Sequence, residues 1–536
     1  MAGLPSSVAR PSENAIRMAD VLGAFSLAGD LAVGLQPEHG TRSCYIGMHI
    51  AQALGLGSED RINLYYAELL KDAGCTAYTS QLATLWLTDE IVAKRELLFL
   101  RDFHNPADTL LWLMQYVAAG APLATRATRM VDFLKDGQGV MREGFESTCQ
   151  MAARIAHRLG MPDAVQNALM NVFEEWDGRG MPQGRRGGSI PIISRIVLVT
   201  SYLDIFHRIG GREAAQRLAR ERRGKAFDPS VVDAFLSLGQ EEGFWQDLEH
   251  ERVWETVLSL EPDESPHKYI GEEKLTDVAL CFADYADMKS PYMLGHSRRV
   301  ADIAERIARR MLMSDAQTLD IYRAALVHDI GVVAVPSFVL NQPRERLTEA
   351  AAEQVRLHPY YSERILSRIP AFHDIIPSVA AHHERIDGEG YHRGLPGAQI
   401  PPPARIIAVA DRFDELTHDQ ADRGALEVDE ALGIMRQEAG PGLAPDAFRA
   451  LVEDLGGLTP PARQRARQRE WPAGLTDREV EVLRAVAKGL NRQEAAKALF
   501  VTEGTVRSHL EHIYTKIGVS NRSAATLFAM EHHLLS

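Results

Sequence analysis

Two copies of one pattern lie in this chain, and that constrains its fold more than any other feature. Residues 39 to 74 fall on residues 296 to 331 without a gap at an offset of 257. The register pairs His39 with His296, Arg42 with Arg299, Ile50 with Ile307, Ala51 with Ala308 and Tyr65 with Tyr322. It continues through Ala67 with Ala324, Leu69 with Leu326, Asp72 with Asp329 and Gly74 with Gly331. A second block repeats at an offset of 210: DGRGMPQGRRGGSIPIISRIVLV (177 to 199) lies on DGEGYHRGLPGAQIPPPARIIAV (387 to 409). Such self-similarity is the mark of a tandem duplication. The offsets differ by about 47 residues, an insertion that falls within 75 to 145 of the first copy.

Helical periodicity runs through both copies. In VADIAERIARRM (300 to 311), Val300, Ile303, Ile307 and Met311 share one helical face. The pattern predicts an all-α protein. The first copy is expected over residues 1–240, a connector over 241–275, the second copy over 276–458, a linker over 459–474 and a small helical domain over 475–536. The linker expectation rests on PPARQRARQREWPAG, whose proline, glycine and charge suit an exposed segment. At 536 residues the chain has room for several cores.

Charge narrows the functional classes. A net charge of -14 argues against wholesale coating of nucleic acid or an anionic membrane. No stretch approaches the ~18 uncharged apolar residues of a membrane span, and MAGLPSSVARPSENAIRMAD lacks the plan of a signal peptide, so a cytoplasmic protein without membrane contact is expected. Cys44, Cys75, Cys149 and Cys281 stand far apart with no CxxC spacing, which suggests neither a disulfide framework nor a thiolate zinc site.

The second copy concentrates metal-ligating side chains. His296, His328, Asp329, His358, His382, His383 and Asp411 supply five imidazoles and two carboxylates within one repeat. One buried histidine alone is an ordinary core residue. Seven such groups suit two octahedral cations with positions left for water and a phosphate, and a two-metal site is suited to in-line phosphoryl chemistry. Nitrogen and oxygen donors without thiolate fit iron or manganese, while zinc or nickel also accept such a set.

The ordered motifs GHSRRV, HDIG, LHPYYS, HHERIDGEGY and VADRFDEL resemble the HD-GYP family of phosphohydrolases, over about residues 276 to 458. The resemblance implies a bundle of antiparallel helices that hydrolyses cyclic di-GMP, with His328 and Asp329 at the catalytic centre. It implies one divalent metal on His296, His328, Asp329 and Asp411. Asp329 would bridge to a second on His358, His382 and His383. Gly388, Gly390 and Tyr391 fall on the loop that names the family. Three positions depart: Val332 replaces the usual lysine of HDIGK, His392 stands in the proline position, and Tyr292 stands where some members place a carboxylate. In the first copy Lys71 replaces His328, Val172 and Phe173 replace His382 and His383, and Ser201 replaces Asp411. That copy is therefore expected to be a degenerate HD-like domain without a metal site, structural or ligand-sensing.

Residues 475 to 530 read as a helix-turn-helix. Thr476 and Glu479 form a capping box signature, Gly489 closes the first helix, RQEAAKALF forms a second, and VTEG turns into a third. The segment resembles the LuxR-type helix-turn-helix domain. That resemblance implies binding of double-stranded DNA through a recognition helix at about 503 to 517, with Thr505, Arg507, Ser508, Glu511 and Lys516 toward the DNA. Glu511 departs from the basic residue common there. Over 475 to 536 eight Lys/Arg meet seven Asp/Glu, so general electrostatic adhesion is not expected. Such domains read paired half-sites, which implies a homodimer. The combined expectation is a transcriptional regulator fused to a metal-dependent phosphodiesterase. The alternatives are a ligand-sensing transcription factor that binds metal or nucleotide without turnover, and a phosphohydrolase of another nucleotide.

Overall fold

Helices build both copies. The computed structural model describes residues 15–101, 104–457 and 471–535. Among these residues the one two-stranded sheet is short: Ile16–Arg17 runs antiparallel to Tyr269–Ile270. All four cysteines are buried and free, and among the described residues no helix is long and apolar enough to cross a membrane.

The duplication extends further than the matched sequence. The helices Met18–Val33, His39–Ala53 and Ser58–Leu70 recur as Leu275–Asp287, His296–Arg310 and Asp315–Val327. Each copy enters its histidine helix through a left-handed residue, Glu38 (φ 72°) and Gly295 (φ 73°). Each then satisfies the helix's unpaired N–H groups with a buried aspartate. Asp30 accepts from His39 N (2.9 Å) and Gly40 N (3.1 Å), and Asp287 accepts from Ser297 N (3.1 Å). Asp30 and Asp287 are themselves 257 apart.

The glycine after each aspartate permits a backbone contact. A Cβ on Gly331 would lie 2.0 Å from the carbonyl oxygen of His358, and one on Gly74 would lie 1.8 Å from that of Thr148. Any side chain would push the next helix away. The glycine thus draws helix His358–Leu366 onto the His328-Asp329 turn.

The two copies pack through equivalent surfaces. Phe25 and Phe282 stack, and Tyr285 Oη donates to the carbonyl of Asp72 (3.2 Å). The insertion of the first copy folds into helices Thr79–Trp86, Glu90–Arg95 and Pro106–Tyr116, then the start of Leu123–Arg158. It has its own small core around Trp86, Leu97 and Trp112. From it Glu90, fully buried, reaches the second copy: it accepts from Ser337 N (2.7 Å) and Phe338 N (3.1 Å) and pairs with buried Lys289 (3.4 Å).

The stretch 241–275 is more than a tether. Helices Glu242–Glu249 and Val253–Ser259 bury Phe244, Trp245, Leu248 and Val257 against the first copy, an apolar stripe that its acidic composition masks. Of the expected linker, residues 459–470 lie outside the described residues. The last domain has four helices, Asp477–Ala487, Arg492–Ala498, Glu503–Ile517 and Arg522–Glu531. The capping box of Thr476 and Glu479 is present. The final helix serves two cores. Ala525 and Phe528 face their own domain, while Leu527 and Met530 join the core of the repeats. Arg154 and Arg158 of the first copy both pair with Glu531, and Arg158 also meets Asp284 of the second.

Candidate metal centre

The seven candidate residues converge. His328 closes helix Asp315–Val327, and Asp329 opens the tight turn that follows. His358 begins its helix, His382 and His383 follow Ile376–Ala380, and Asp411 lies within Pro402–Thr417. Asp329 is the hinge of the arrangement. Its Oδ2 faces His296 Nε2 and His328 Nε2, each at 3.6 Å. Its Oδ1 faces His358 Nε2 (3.1 Å) and His382 Nε2 (3.4 Å). Asp411 faces His296 Nε2 (3.3 Å) with one oxygen and His383 Nδ1 (3.9 Å) with the other. Two ligand-competent clusters result, His296 with His328 and Asp329, and Asp329 with His358, His382 and His383. They share Asp329.

The imidazoles are oriented from outside. The Nδ1 atoms of His328, His358 and His382 each lie 2.6–2.7 Å from the carbonyl three residues earlier, of Ala325, Val355 and Val379. Donation there fixes the tautomer and turns the Nε2 lone pair inward. His296 Nδ1 instead meets Asp414 (2.8 Å), which Arg299 grips through Nε (2.7 Å) and Nη2 (3.0 Å). Asp414 was not among the sequence candidates. Its signal was available, for Asp204 occupies the matching place at offset 210.

Electrostatics prepare the same donors. Burial lowers His328 to about 4 although Asp329 pulls the other way, and burial together with His382 and His358 holds His383 well below its ordinary value. Burial opposes the charge on Asp329, but His328 and His358 keep its carboxyl well below the usual range. His328 and His383 are thus held neutral, the state in which an imidazole can bind a divalent cation. At His296, by contrast, burial is outweighed by Asp411 and Asp414, which raise it well above its ordinary value. His328 Nε2 is buried without a hydrogen-bond partner, so the donor set fits a metal.

The loop above the centre is braced the same way in both copies. Buried Glu384 accepts from Arg393 N and Leu395 N, each at 2.8 Å, and Glu174 accepts from Gln183 N (2.7 Å) and Arg185 N (2.8 Å). Gly388 takes a left-handed φ of 80°. Gly390 leaves no room for a Cβ, which would fall 2.4 Å from Arg385 N. Tyr391 lies against His383 with ring centroids 4.7 Å apart. The Tyr391-His392 bond is cis, as is Met181-Pro182 at the matching place. Val332 is buried, and Tyr292 donates its backbone N–H to Ser290.

The first copy keeps the outer support and loses most of the inner donors. His39 Nδ1 meets Asp204 (2.9 Å) and Arg42 grips the same carboxylate, reproducing His296, Asp414 and Arg299. Lys71 Nζ donates to Asp72 Oδ2. Burial disfavours the Lys71 charge, yet Asp72 holds its pKa above the ordinary lysine value. The ammonium fills the role of a cation beside that carboxylate. Ser201 Oγ turns to the carbonyl of Val197 (2.8 Å).

In the last domain Arg507, Ser508 and Glu511 lie on the exposed face of Glu503–Ile517. Arg507 Nε donates to Glu511 (3.0 Å). Thr505 is tied to Thr502 (2.8 Å), and Lys516 Nζ donates to Glu479 (2.7 Å) and to the carbonyl of Gly474 (3.0 Å).

Comparisons with known proteins agree with this layout. The HD domain family matches residues 281–443, and the luxR family of bacterial regulatory proteins matches residues 473–529. The chain is 32% identical to the 3'3'-cGAMP-specific phosphodiesterase 3 of Vibrio cholerae serotype O1, over 83% of this chain and 96% of that protein. It is 36% identical to a cyclic di-GMP phosphodiesterase of Pseudomonas aeruginosa, over 31% of this chain and 40% of that one. Among solved structures, a cyclic GMP-AMP specific phosphodiesterase of V. cholerae aligns with a TM-score of 0.58 and 29% identity, covering 82% of this chain and 98% of its own.

Proposed function

The chain belongs to the HD-GYP family of metal-dependent phosphodiesterases, here joined to a luxR-type helix-turn-helix domain, and from that premise we propose that its second repeat hydrolyses a 3'3'-cyclic dinucleotide. The observation that carries this reading is Asp329, which offers one oxygen to each of two histidine clusters. His296, His328, Asp329 and Asp411 would hold one cation, and Asp329, His358, His382 and His383 a second. Iron or manganese suits these donors. Cations bound there would polarise a phosphoryl oxygen and lower the pKa of a water.

The protein's own groups supply the geometry. Asp414 and the three backbone carbonyls hold the imidazoles in register, so little reorganisation is needed when substrate arrives. Tyr391 is held over His383 by the Glu384-braced loop and would flank a substrate bound at the metals. The buried methyls of Val332 cannot hold a phosphate, so the site would rely on its metals more than relatives with lysine there.

Of the dinucleotides, 3'3'-cGAMP is the better-supported substrate. The relative matched along nearly its whole length carries that specificity, whereas the quoted cyclic di-GMP phosphodiesterase matches only 40% of its own length. Cyclic di-GMP is the second reading. Elemental analysis with hydrolysis assays on the full chain tests the proposal. About two metals per chain and turnover of 3'3'-cGAMP are expected, both lost in Asp329→Ala. Full metal loading with no hydrolysis of either dinucleotide would overturn it.

The luxR-type domain would couple this chemistry to double-stranded DNA. Arg507, Ser508 and Glu511 are offered to the major groove, and two chains would engage paired half-sites.

A further inference from the structure

In the first repeat a largely apolar cavity lies where the second repeat has its metal centre. Lys71, Asp72, Val172, Phe173, Met181 and Ser201 line it, the counterparts of His328, Asp329, His382, His383, Tyr391 and Asp411. It offers about 40 Å³ to the centres of water molecules, and an adjoining cavity under the insertion offers about 50 Å³. A single water needs only ~10–15 Å³ by the same measure. The cavities share walls at Asp72, Leu98, Phe99, Phe145 and Phe173.

Two hydrogen-bond donors line the second cavity with unusual partners. Lys94, 8% exposed, donates to the carbonyl of Cys75 (3.1 Å) and forms no ion pair among the described residues. Trp86, 2% exposed, has a buried Nε1–H without an acceptor. Asp72 lines the same cavity and feels the Lys94 charge but is already bonded to Lys71. The Lys94 cation is therefore met only in part and the Trp86 N–H not at all, a costly arrangement beside apolar walls. One cation matches one negative charge, and the apolar lining disfavours a dianion.

We propose that the first repeat is a receptor for a small apolar molecule headed by a carboxylate. The head group is received by Lys94 and Trp86, and the body lies among Leu82, Leu97, Phe99 and Phe145. The helices that enclose this cavity also make the contacts to the rest of the protein. Helix Thr79–Trp86 supplies Thr79 and Ser80, which bond Ser337 and Asn341 just beyond the His328-Asp329 turn. Helix Leu123–Arg158 supplies Arg154 and Arg158, which pair with Glu531 of the luxR-type domain. Occupancy therefore bears on both.

Titration calorimetry of the full chain with phenylacetate and octanoate, each beside its amide, tests the proposal without reference to turnover. At least one acid is expected to bind once per chain, with its amide at least tenfold weaker. Lys94→Met should remove the difference between acid and amide. Val140→Phe, which fills the cavity from a partly buried wall position, should block both. Absence of saturable binding by either acid, or binding that survives both substitutions, would overturn the proposal.

Discussion

Phe25 and Phe282, the same position in two copies of one fold, stack ring on ring with centroids 3.9 Å apart and planes 8° from parallel. A residue that touches its own counterpart sits near a local two-fold axis. The chain is thus a dimer written as one polypeptide, with one half carrying the histidine site and the other carrying Lys71.

The stack should be a centre of stability. Phe25→Ala and Phe282→Ala are each expected to cost about 3–5 kcal/mol. Because the rings share one contact, the double substitution should cost less than the two separately. Denaturant unfolding of the three variants measures this; strict additivity would show that the rings stabilise independently.

Gly74→Ala and Gly331→Ala should both destabilise the chain by about 3 kcal/mol, since each introduced methyl meets a backbone carbonyl. A glycine serving catalysis alone would behave differently. The midpoint of thermal unfolding should fall for Gly74→Ala as well, although its repeat has lost most of the metal donors.

Asp414→Asn should weaken metal binding roughly 10–100-fold by removing the carboxylate behind His296. Hydrolysis should recover in excess metal. Asp204→Asn, the same change in the first repeat, should leave metal affinity untouched. Equilibrium dialysis of the two variants separates a role in orienting His296 from a general loss of structure.

Stability should fall as pH rises from about 4.5 to about 7 because of Glu68. Burial raises its carboxyl to about 7, against the pull of Lys71 and the Thr200 hydroxyl, from an ordinary 4.5. The folded state therefore keeps a proton that the unfolded state releases. Its contribution is complete below about 4.5 and is lost as pH climbs to about 7, by about 3 kcal/mol. Glu68→Gln should flatten that part of the stability profile and leave the chain more stable than wild type at pH 8.

Glu531→Gln should loosen the luxR-type domain. It weakens the ion pairs to Arg154 and Arg158, two arginines that then lack full compensation. Hydrogen exchange in helix Arg522–Glu531 should accelerate about tenfold. Unchanged exchange would show that Leu527 and Met530 alone hold the domain in place.

Much of the site was legible in the sequence because its donors are rare residue types repeated in order. His296, His328, Asp329, His358, His382, His383 and Asp411 come together in the fold, and a helix spans Glu503–Ile517, the bounds read from the sequence. The supports were harder to see. Asp414 lies three residues after Asp411 and reads as a second surface carboxylate until His296 is found against it. Glu90 reaches Ser337 across 247 residues, a pairing that no local pattern encodes. The helices within 241–275 were hidden because their few apolar residues are diluted by acidic neighbours.

Lys71 also gives the molecule an uneven dependence on its surroundings. A metal can be stripped from a site, whereas a lysine bonded to the adjacent aspartate is a covalent part of the chain and cannot be withdrawn. Arg154 and Arg158 anchor the luxR-type domain from that permanently neutralised half. Under metal starvation the phosphodiesterase half would fall silent first, while the support beneath the luxR-type domain stayed intact.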